Sequence, residues 1–437
     1  MKSKLPISKI FTLVLLSSLS LLLTACTVQD LPVIGEALGN LPLIGGGGTS
    51  NEPVTLTMWG LWENPEVMRD LIAQYQEAHP NVTINYEDRS VVKPLVNYKE
   101  RVFNRLSEGG GPDIVRVHNS WVYRLTSVLA PMPGSLMDTE TYNATFYPVA
   151  AESAVHDGKI YALPLYYDGL ALVYNRNHFA EVGQQAPPTA WEEFRRLALE
   201  LSLYSEDELI RAGAAMGTAD NIEHFADILG LMWSQAEVGI PAEIDSARAQ
   251  DALTFYTNFV KEDRVWNASF PEATTAFANG EVSMIFVPSW RILDILEMSP
   301  GMNIGVAPVP QVDSENPVTW GSFWMEGVSA DSANPKAAWE FLNFLAQRDQ
   351  QLSYYSQSSN YRPFGSAYAR TDLADELALN DYLRPYTLDA PHATEAEIAA
   401  RSGNRRQVDA LQTAVNAVLE GTDVETALTS AKASIAQ

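Results

Sequence analysis

The sequence predicts an α/β fold built on a mainly parallel sheet, and the first sixty residues after position 53 carry most of the prediction. Alternation rich in β-branched residues marks 54–59 (VTLTMW), 82–86 (VTINY) and 114–117 as strands. Between the first two, Val67, Leu71, Ile72 and Tyr75 recur at helical spacing behind Pro65, which suits a first helical turn because its missing N–H has no partner there. A second helix is expected over 96–106, and the glycines and proline of 109–112 break the chain before the third strand. A β-α-β-α-β run of this kind lays its strands side by side with helices on the faces. Ligands of such sheets lie beyond the carboxyl ends of the strands. That places 59–62 and 118–121 at a candidate site.

Downstream, Thr189 and Glu192 form a candidate capping box for a helix through Phe194, Leu197 and Leu201. Asn334-Pro335 opens another helix carrying Trp339, Leu342 and Leu345, and Val408, Leu411, Val415 and Leu419 mark an amphipathic helix near the C-terminus. Strand-like stretches at 162–165, 171–174, 282–287 and 304–309 lie between the helices. A chain of 437 residues has room for two or three domain-sized units.

The N-terminus reads as a targeting segment. Lys2, Lys4 and Lys9 precede an apolar run over 10–23, too short to cross hydrocarbon comfortably, and the run ends in Leu-Thr-Ala-Cys at 23–26. This resembles the bacterial lipobox, in which the cysteine becomes the lipid-bearing N-terminus after cleavage. Residues 1–25 are therefore expected to be a signal peptide, Cys26 the lipidation site, and 26–52 a flexible tether with a glycine run at 45–48. The mature protein is expected to work outside the cytoplasmic membrane, anchored by acyl chains.

Composition narrows the function. Cys26 is the only cysteine, which leaves no disulfide framework and no thiolate metal cluster. The formal charge of −25 becomes more negative once the signal lysines are removed, and such a surface repels nucleic acid. It also offers anionic lipid no polybasic attraction, so the acyl chains are the evident anchor. Ten tryptophans in an acidic extracellular chain hint at carbohydrate, whose apolar C–H faces lie flat on aromatic rings.

Seven blocks in order carry a family resemblance: VTLTMWGLWENPEVMRDLIAQYQEAHPNVTINYE, GGGPDIVRVHNSWVYRL, KIYALPLYYDGLALVYNRNHFAEVG, FANGEVSMIFVPSW, IGVAPVPQ, TWGSFWMEGVSADSANPKAAWEFLNFL and the helical AVNAVLEGTDVETALTSAKASI. Together they resemble the bacterial extracellular solute-binding proteins that deliver sugars and oligosaccharides to ABC importers. Tyr166 departs from the smaller residue usual at its position. The resemblance implies a two-lobed periplasmic-binding-protein-like fold of type II with a ligand cleft between the lobes. Lobe I is expected to comprise 53–166 plus 325–364, and lobe II 167–324 plus 365–437, with crossings near 166–169, 324–327 and 362–365. Ligand would draw the lobes together by a hinge, and a membrane permease would read the closed form.

The resemblance also singles out ligand-binding candidates. Trp62 and Trp121 follow strands of the first lobe and Trp290 holds the matching aromatic place in the second; Trp59 and Trp233 are weaker candidates. Asn119 and Ser120 offer short polar contacts, and Asp168, beside Tyr167, is an acid suited to accepting from sugar hydroxyls. Trp320, Phe323 and Trp324 flank Gly321-Ser322, while Tyr361 and Arg362 lie in a segment that reaches the cleft. For each aromatic the competing reading is packing, for Asp168 a helix or turn cap, and for Arg362 an ion pair.

Enzyme signatures are weak. No Gly-x-Ser-x-Gly or His-Glu-x-x-His motif occurs, Ser90-Val91-Val92-Lys93 lacks its β-lactamase partners, and the six histidines, His118 among them, have no ligand spacing. The expectation is a non-enzymatic, monomeric binding protein without cofactor or metal, with carbohydrate, permease subunits and the membrane as partners and no nucleic acid. The alternatives are a binder of glycerol phosphate or another small polar solute, an extracytoplasmic glycosidase, or a partner of a sensor domain.

Overall fold

A computed structural model describes residues 52–398 and 403–436 of the chain. The signal segment, Cys26 and the tether lie outside the described residues. In the first sheet, strand Val54–Gly60 pairs in parallel with Val82–Asp88 on one side and Ile114–His118 on the other. Its alternation buries Leu56, Met58 and Gly60, and helix Pro65–Ala78 lays Val67, Met68, Leu71, Ile72 and Tyr75 into the same core. The next helix begins at Tyr98, after a 3₁₀ turn over Leu95–Asn97, slightly later than its apolar spacing suggests. Ile114–His118 is buried at every position, Arg116 included.

The parallel pattern stops with these three strands. Trp324–Ser329 joins the sheet antiparallel to Ile114–His118, placing Trp324 opposite His118 and Glu326 opposite Arg116. The short strands Leu129–Ala130 and Leu163–Pro164 pair with that returning strand. A second sheet has Ala171–Asn175 at its centre with Met284–Val287 and Ile304–Ala307 antiparallel on either side. Helices Trp191–Leu201, Phe225–Gln235, Ala247–Lys261 and Ser289–Met298 belong with these strands in sequence, and the terminal helices Arg405–Leu419 and Val424–Ala436 pack on Ala247–Lys261. The helix at Trp191 is capped differently from its sequence reading. Its N-cap is Ala190, and Glu193 rather than Glu192 reaches back to accept the Thr189 N–H at 3.1 Å, because the helix starts two residues beyond Thr189. Pro335 opens its helix as expected and buries Trp339, Leu342 and Leu345.

The chain leaves the first sheet after Pro164, enters the second at Ala171 and is back in the first at Trp324. The connecting segments are bonded to one another. Tyr167 N–H donates to Ala367 (2.9 Å), Leu170 N–H to Trp320 (3.1 Å) and Ser322 N–H to the Asp168 carbonyl (3.0 Å). Gly169 is required where two of these strands of chain cross, since a Cβ there would collide with the Trp320 carbonyl.

Two buried carboxyl groups lie along the same seam. Asp389 accepts the Val309 N–H at 3.1 Å, and burial pushes it up to about 7. Glu395 is pushed up to about 8 by burial and by the neighbouring Glu152 and Glu397 carboxylates. A folded state that holds protons the unfolded chain releases is fully favoured at low pH and loses that advantage as pH rises through the folded values. The buried imidazoles His118 and His178, held down to about 3 and about 4 by burial, act in the opposite sense but only below about 6.5, where unfolded histidine titrates. Buried Glu326 is likewise pushed up to about 7 by burial, against the pull of Arg116, so between pH 6.5 and 8 the carboxyls dominate. The midpoint of thermal unfolding is therefore expected to fall over that interval by the equivalent of roughly 1–2 kcal/mol. Glu395→Gln should remove most of the fall, and a flat or rising profile in the parent chain would refute the assignment.

Candidate ligand-binding site

The ends of the first-sheet strands gather an aromatic cluster around Trp324. Because Trp324 pairs with His118, the returning strand starts where the forward strands end. Its indole meets Trp62 (centroids 5.1 Å), Trp121 (5.1 Å), His118 (5.3 Å) and Tyr98 (6.1 Å), all close to edge-on. Edge-to-face pairs put the positive rim of one ring on the negative face of the next, which fixes orientation as well as burying area. Trp324 is half-buried, while Trp62, on the loop after the first strand, is 49% exposed. His118 is held neutral by burial; its Nδ1 lies 2.9 Å from Ser120 Oγ and 3.3 Å from the Ser120 backbone N, and its Nε2 lies 3.1 Å from Ser322 Oγ.

Trp121 and Ser120 are covered by the chain's own later residues. Asn404 donates to Ser120 Oγ at 3.1 Å, and Gly403 lies so close on Trp121 that a Cβ would collide with the indole. Glu397, a little earlier in the same segment, takes Lys99 (2.9 Å) and Arg124 (2.9 Å) of the first lobe. Nothing in the spacing around 395–404 signalled this contact, since it depends on where the C-terminal segment travels.

At the seam, side chains chosen for polar contact are engaged within the protein. Asp168 accepts from Ser289 N–H (2.9 Å) and Gly169 N–H (2.8 Å) on one oxygen and from Ser289 Oγ (2.8 Å) on the other. It thereby caps helix Ser289–Met298, and burial raises its pKa against the pull of these donors. Asn119 accepts the Phe323 N–H at 3.1 Å and is buried, as are Tyr167 and Phe323, whose rings meet at 5.5 Å. Trp320 is wholly buried on Gly230 of helix Phe225–Gln235, its Nε1–H donated to Asp227 at 2.9 Å.

Trp290 is an open indole, 42% exposed at the start of the helix that Asp168 caps. The Arg291 guanidinium lies 4.3 Å from its ring centre and His224 meets it edge-on at 5.8 Å. Arg291 is in turn shared between Asp294 (3.0 Å) and Glu223 (3.9 Å). Tyr361 is exposed and donates its hydroxyl to Glu66, while half-buried Arg362 donates to Ser366 Oγ at 2.9 Å. Trp59 is half-buried under Arg89 (4.3 Å), in a separate pocket of about 300 Å³ lined also by Tyr98, Arg101 and Arg105. Trp233 is helix core, donating to the Ala249 carbonyl at 3.1 Å.

The structure thus brings Trp62, Trp121 and Trp324 into one cluster and Asn119, Asp168 and Phe323 into one seam, which the Trp320 carbonyl joins while its indole packs away on helix Phe225–Gln235. Large exposed indoles on Trp62 and Trp290 offer faces for an apolar ligand surface. The residues that sequence reasoning passed over are Glu63, Arg116 and Glu326 beneath Trp62, and His224, Glu223 and Arg291 around Trp290. Arg116 inside the apolar run Ile-Val-Arg-Val was a readable signal, since a charge in a buried strand needs a partner. Among the described residues no group of His, Cys, Asp and Glu is placed to hold a metal, and no helix is long and apolar enough to cross a membrane.

Comparison with known proteins gives the same architecture. The chain is 23% identical over 318 residues to a binding protein of Brucella abortus (68% of this chain, 72% of the relative). It superposes on an ABC transporter solute-binding protein from Thermotoga lettingae bound with α-D-tagatose with a TM-score of 0.67 and 22% identity, covering 87% of this chain and 98% of that one. A cyclo/maltodextrin-binding protein complexed with maltotetraose gives a TM-score of 0.70 at 17% identity, covering 89% and 98%. The fold is the two-lobed α/β architecture of the periplasmic binding proteins. With residues 61–352, more than half of its length, matching the family, the chain belongs to the bacterial extracellular solute-binding proteins.

Proposed function

We propose that the protein captures a saccharide between its two lobes and hands it to the permease of an ABC importer without catalysing a reaction. The observation that carries this reading is the pair of exposed indoles, Trp62 after a first-sheet strand and Trp290 after a second-sheet strand. An exposed tryptophan is unfavourable in water unless something covers it, and a pyranose face is flat, apolar and rimmed with hydroxyls. Direct contact is assigned to Trp62, Trp290, Trp324, Tyr361 and Arg362. Asn119, Ser120, Trp121, Tyr167, Asp168, Trp320 and Phe323, all buried, hold the frame on which those side chains sit. The saccharides bound by the structural relatives from Thermotoga lettingae and the cyclo/maltodextrin group support the ligand class.

The protein is placed outside the cytoplasmic membrane, acylated at Cys26 and held off the surface by residues 26–52. Palmitate labelling of cells expressing the full chain should mark it and should be lost in Cys26→Ala; labelling that persists would remove the anchor.

Titration calorimetry of the purified protein against mono- and oligosaccharides, with glycerol phosphate as a contrasting anion, tests the ligand class. Each stacking ring contributes about 0.5–1.5 kcal/mol beyond area burial, so Trp62→Ala and Trp290→Ala should each weaken the best saccharide by at least roughly 2- to 12-fold, with thermal unfolding unchanged. Binding of the anion alone, or saccharide affinity untouched in both variants, would overturn the reading.

A further inference from the structure

Trp62 holds an uncommon backbone conformation, with φ at +61°. The left-handed region crowds the Cβ of a bulky L-residue against the backbone, and such a residue persists only where its surroundings over-determine it. Here the surroundings are specific. Directly before it, the Leu61 carbonyl accepts from Arg116 Nη1 at 3.0 Å. Directly after it, the buried Glu63 carboxylate is ion-paired with the same guanidinium and accepts the Tyr86 hydroxyl at 2.8 Å. One further on, Asn64 caps helix Pro65–Ala78 through the Glu66 N–H. One side chain, Arg116, therefore grips the chain on both sides of the indole and throws it outward onto the edge of Trp324.

The far side of Arg116 is held as well. Strand register sets Glu326 opposite it, with Arg116 Nε 3.3 Å from Glu326 Oε1, and the Tyr166 ring lies 5.2 Å from the guanidinium carbon. Arg116, Glu63 and Glu326 are at most 5% exposed, so two carboxylates and one guanidinium have been taken out of water together. Arg116 Nε and Nη2, Glu63 Oε1 and both Glu326 carboxyl oxygens make no hydrogen bond among the described residues, so Arg116 hydrogen-bonds the Leu61 carbonyl and is held to the two acids by charge. Clusters like this are poor stabilisers, because well-packed apolar side chains of the same volume often do as well or better. What an apolar replacement could not do is hydrogen-bond the Leu61 carbonyl while pairing in charge with the carboxylate two residues on.

We infer that Arg116 is a positioning residue for the ligand site: with Glu63, Glu326 and Tyr86 it locks the 61–63 turn so that the Trp62 indole is presented, already oriented, to the ligand. The inference rests on the reading of Trp62 as a ligand contact, and it adds a rigid ionic support to that contact. A locked ring loses less conformational freedom on binding than one that must be ordered. Arg116→Lys keeps the charge but loses the fork that reaches Leu61, Glu63 and Glu326 at once. Tyr86→Phe is milder, removing one hydrogen bond to Glu63 and leaving the ring in place.

The test is ¹⁹F NMR of the full chain labelled with 5-fluorotryptophan, with the Trp62 resonance assigned by its loss in Trp62→Phe, followed by saccharide titration of the same samples. Arg116→Lys and Tyr86→Phe should each shift or broaden the Trp62 resonance and leave the core residues Trp233 and Trp266 unmoved. Saccharide affinity should fall about tenfold in Arg116→Lys and severalfold in Tyr86→Phe. If Arg116→Lys does not fold, Tyr86→Phe carries the test. A Trp62 resonance unmoved in every folded variant overturns the inference, as does one that moves while affinity stays constant. If the parent chain binds no saccharide, the ligand reading fails by itself, and the resonance alone decides whether Arg116 positions Trp62.

Discussion

Asp168 ties together segments that would otherwise slide past one another. Its two oxygens take the N-terminus of helix Ser289–Met298, and its carbonyl takes Ser322 N–H from the returning strand of chain. Ser322 Oγ then meets His118, and Phe323 exchanges hydrogen bonds with Asn119, so a continuous path runs from the second sheet's helix to the end of a first-sheet strand. The groups on that path are partnered and, apart from half-buried Ser322, buried, so removing one partner of a buried group strands another at a cost of about 1–3 kcal/mol. The aromatics on either side stand on this seam: exposed Trp290 follows the capped serine, and half-buried Trp324 follows Phe323.

Two kinds of support therefore sit behind the open tryptophans. Trp290 is placed by a helix start and flanked by Arg291 and His224, a partly solvated arrangement whose charges are balanced by Asp294 and Glu223. Trp62 is placed by a dry ionic cluster and by the edge of Trp324. The difference follows from location. A helix offers orphan N–H groups for a carboxylate to satisfy, whereas a loop leaving a buried strand offers only a carbonyl and whatever side chains flank it.

Much of the first lobe was legible in the sequence because its signal is periodic. Alternation over 54–59 and 82–86 and the apolar spacing from Val67 to Tyr75 follow from one buried face each, and the structure has those faces, with the strands running on to Gly60 and Asp88. The antiparallel entry of Trp324–Ser329 was not legible, since it depends on the direction from which a distant segment returns. The aromatic candidates divided along the same line. Sequence identifies a ring after a strand but not whether later chain will cover it: Trp62 stays open, whereas Trp121 lies under Gly403. In sequence Asp168 suits either a hydroxyl acceptor or a helix or turn cap; its carboxylate is occupied by Ser289 and Gly169 because Pro288-Ser289 opens a helix directly beside it.

The central claim is that one ligand is held by both open tryptophans at once. Hydroxyl-radical footprinting of the purified protein, read by mass spectrometry with and without saturating saccharide, addresses it directly. Peptides carrying Trp62 and Trp290 should both lose oxidation when the saccharide is bound, while the exposed Tyr123 and Tyr204 remain as reactive as before. Protection of only one tryptophan, or of neither, would contradict a ligand bridging the two lobes.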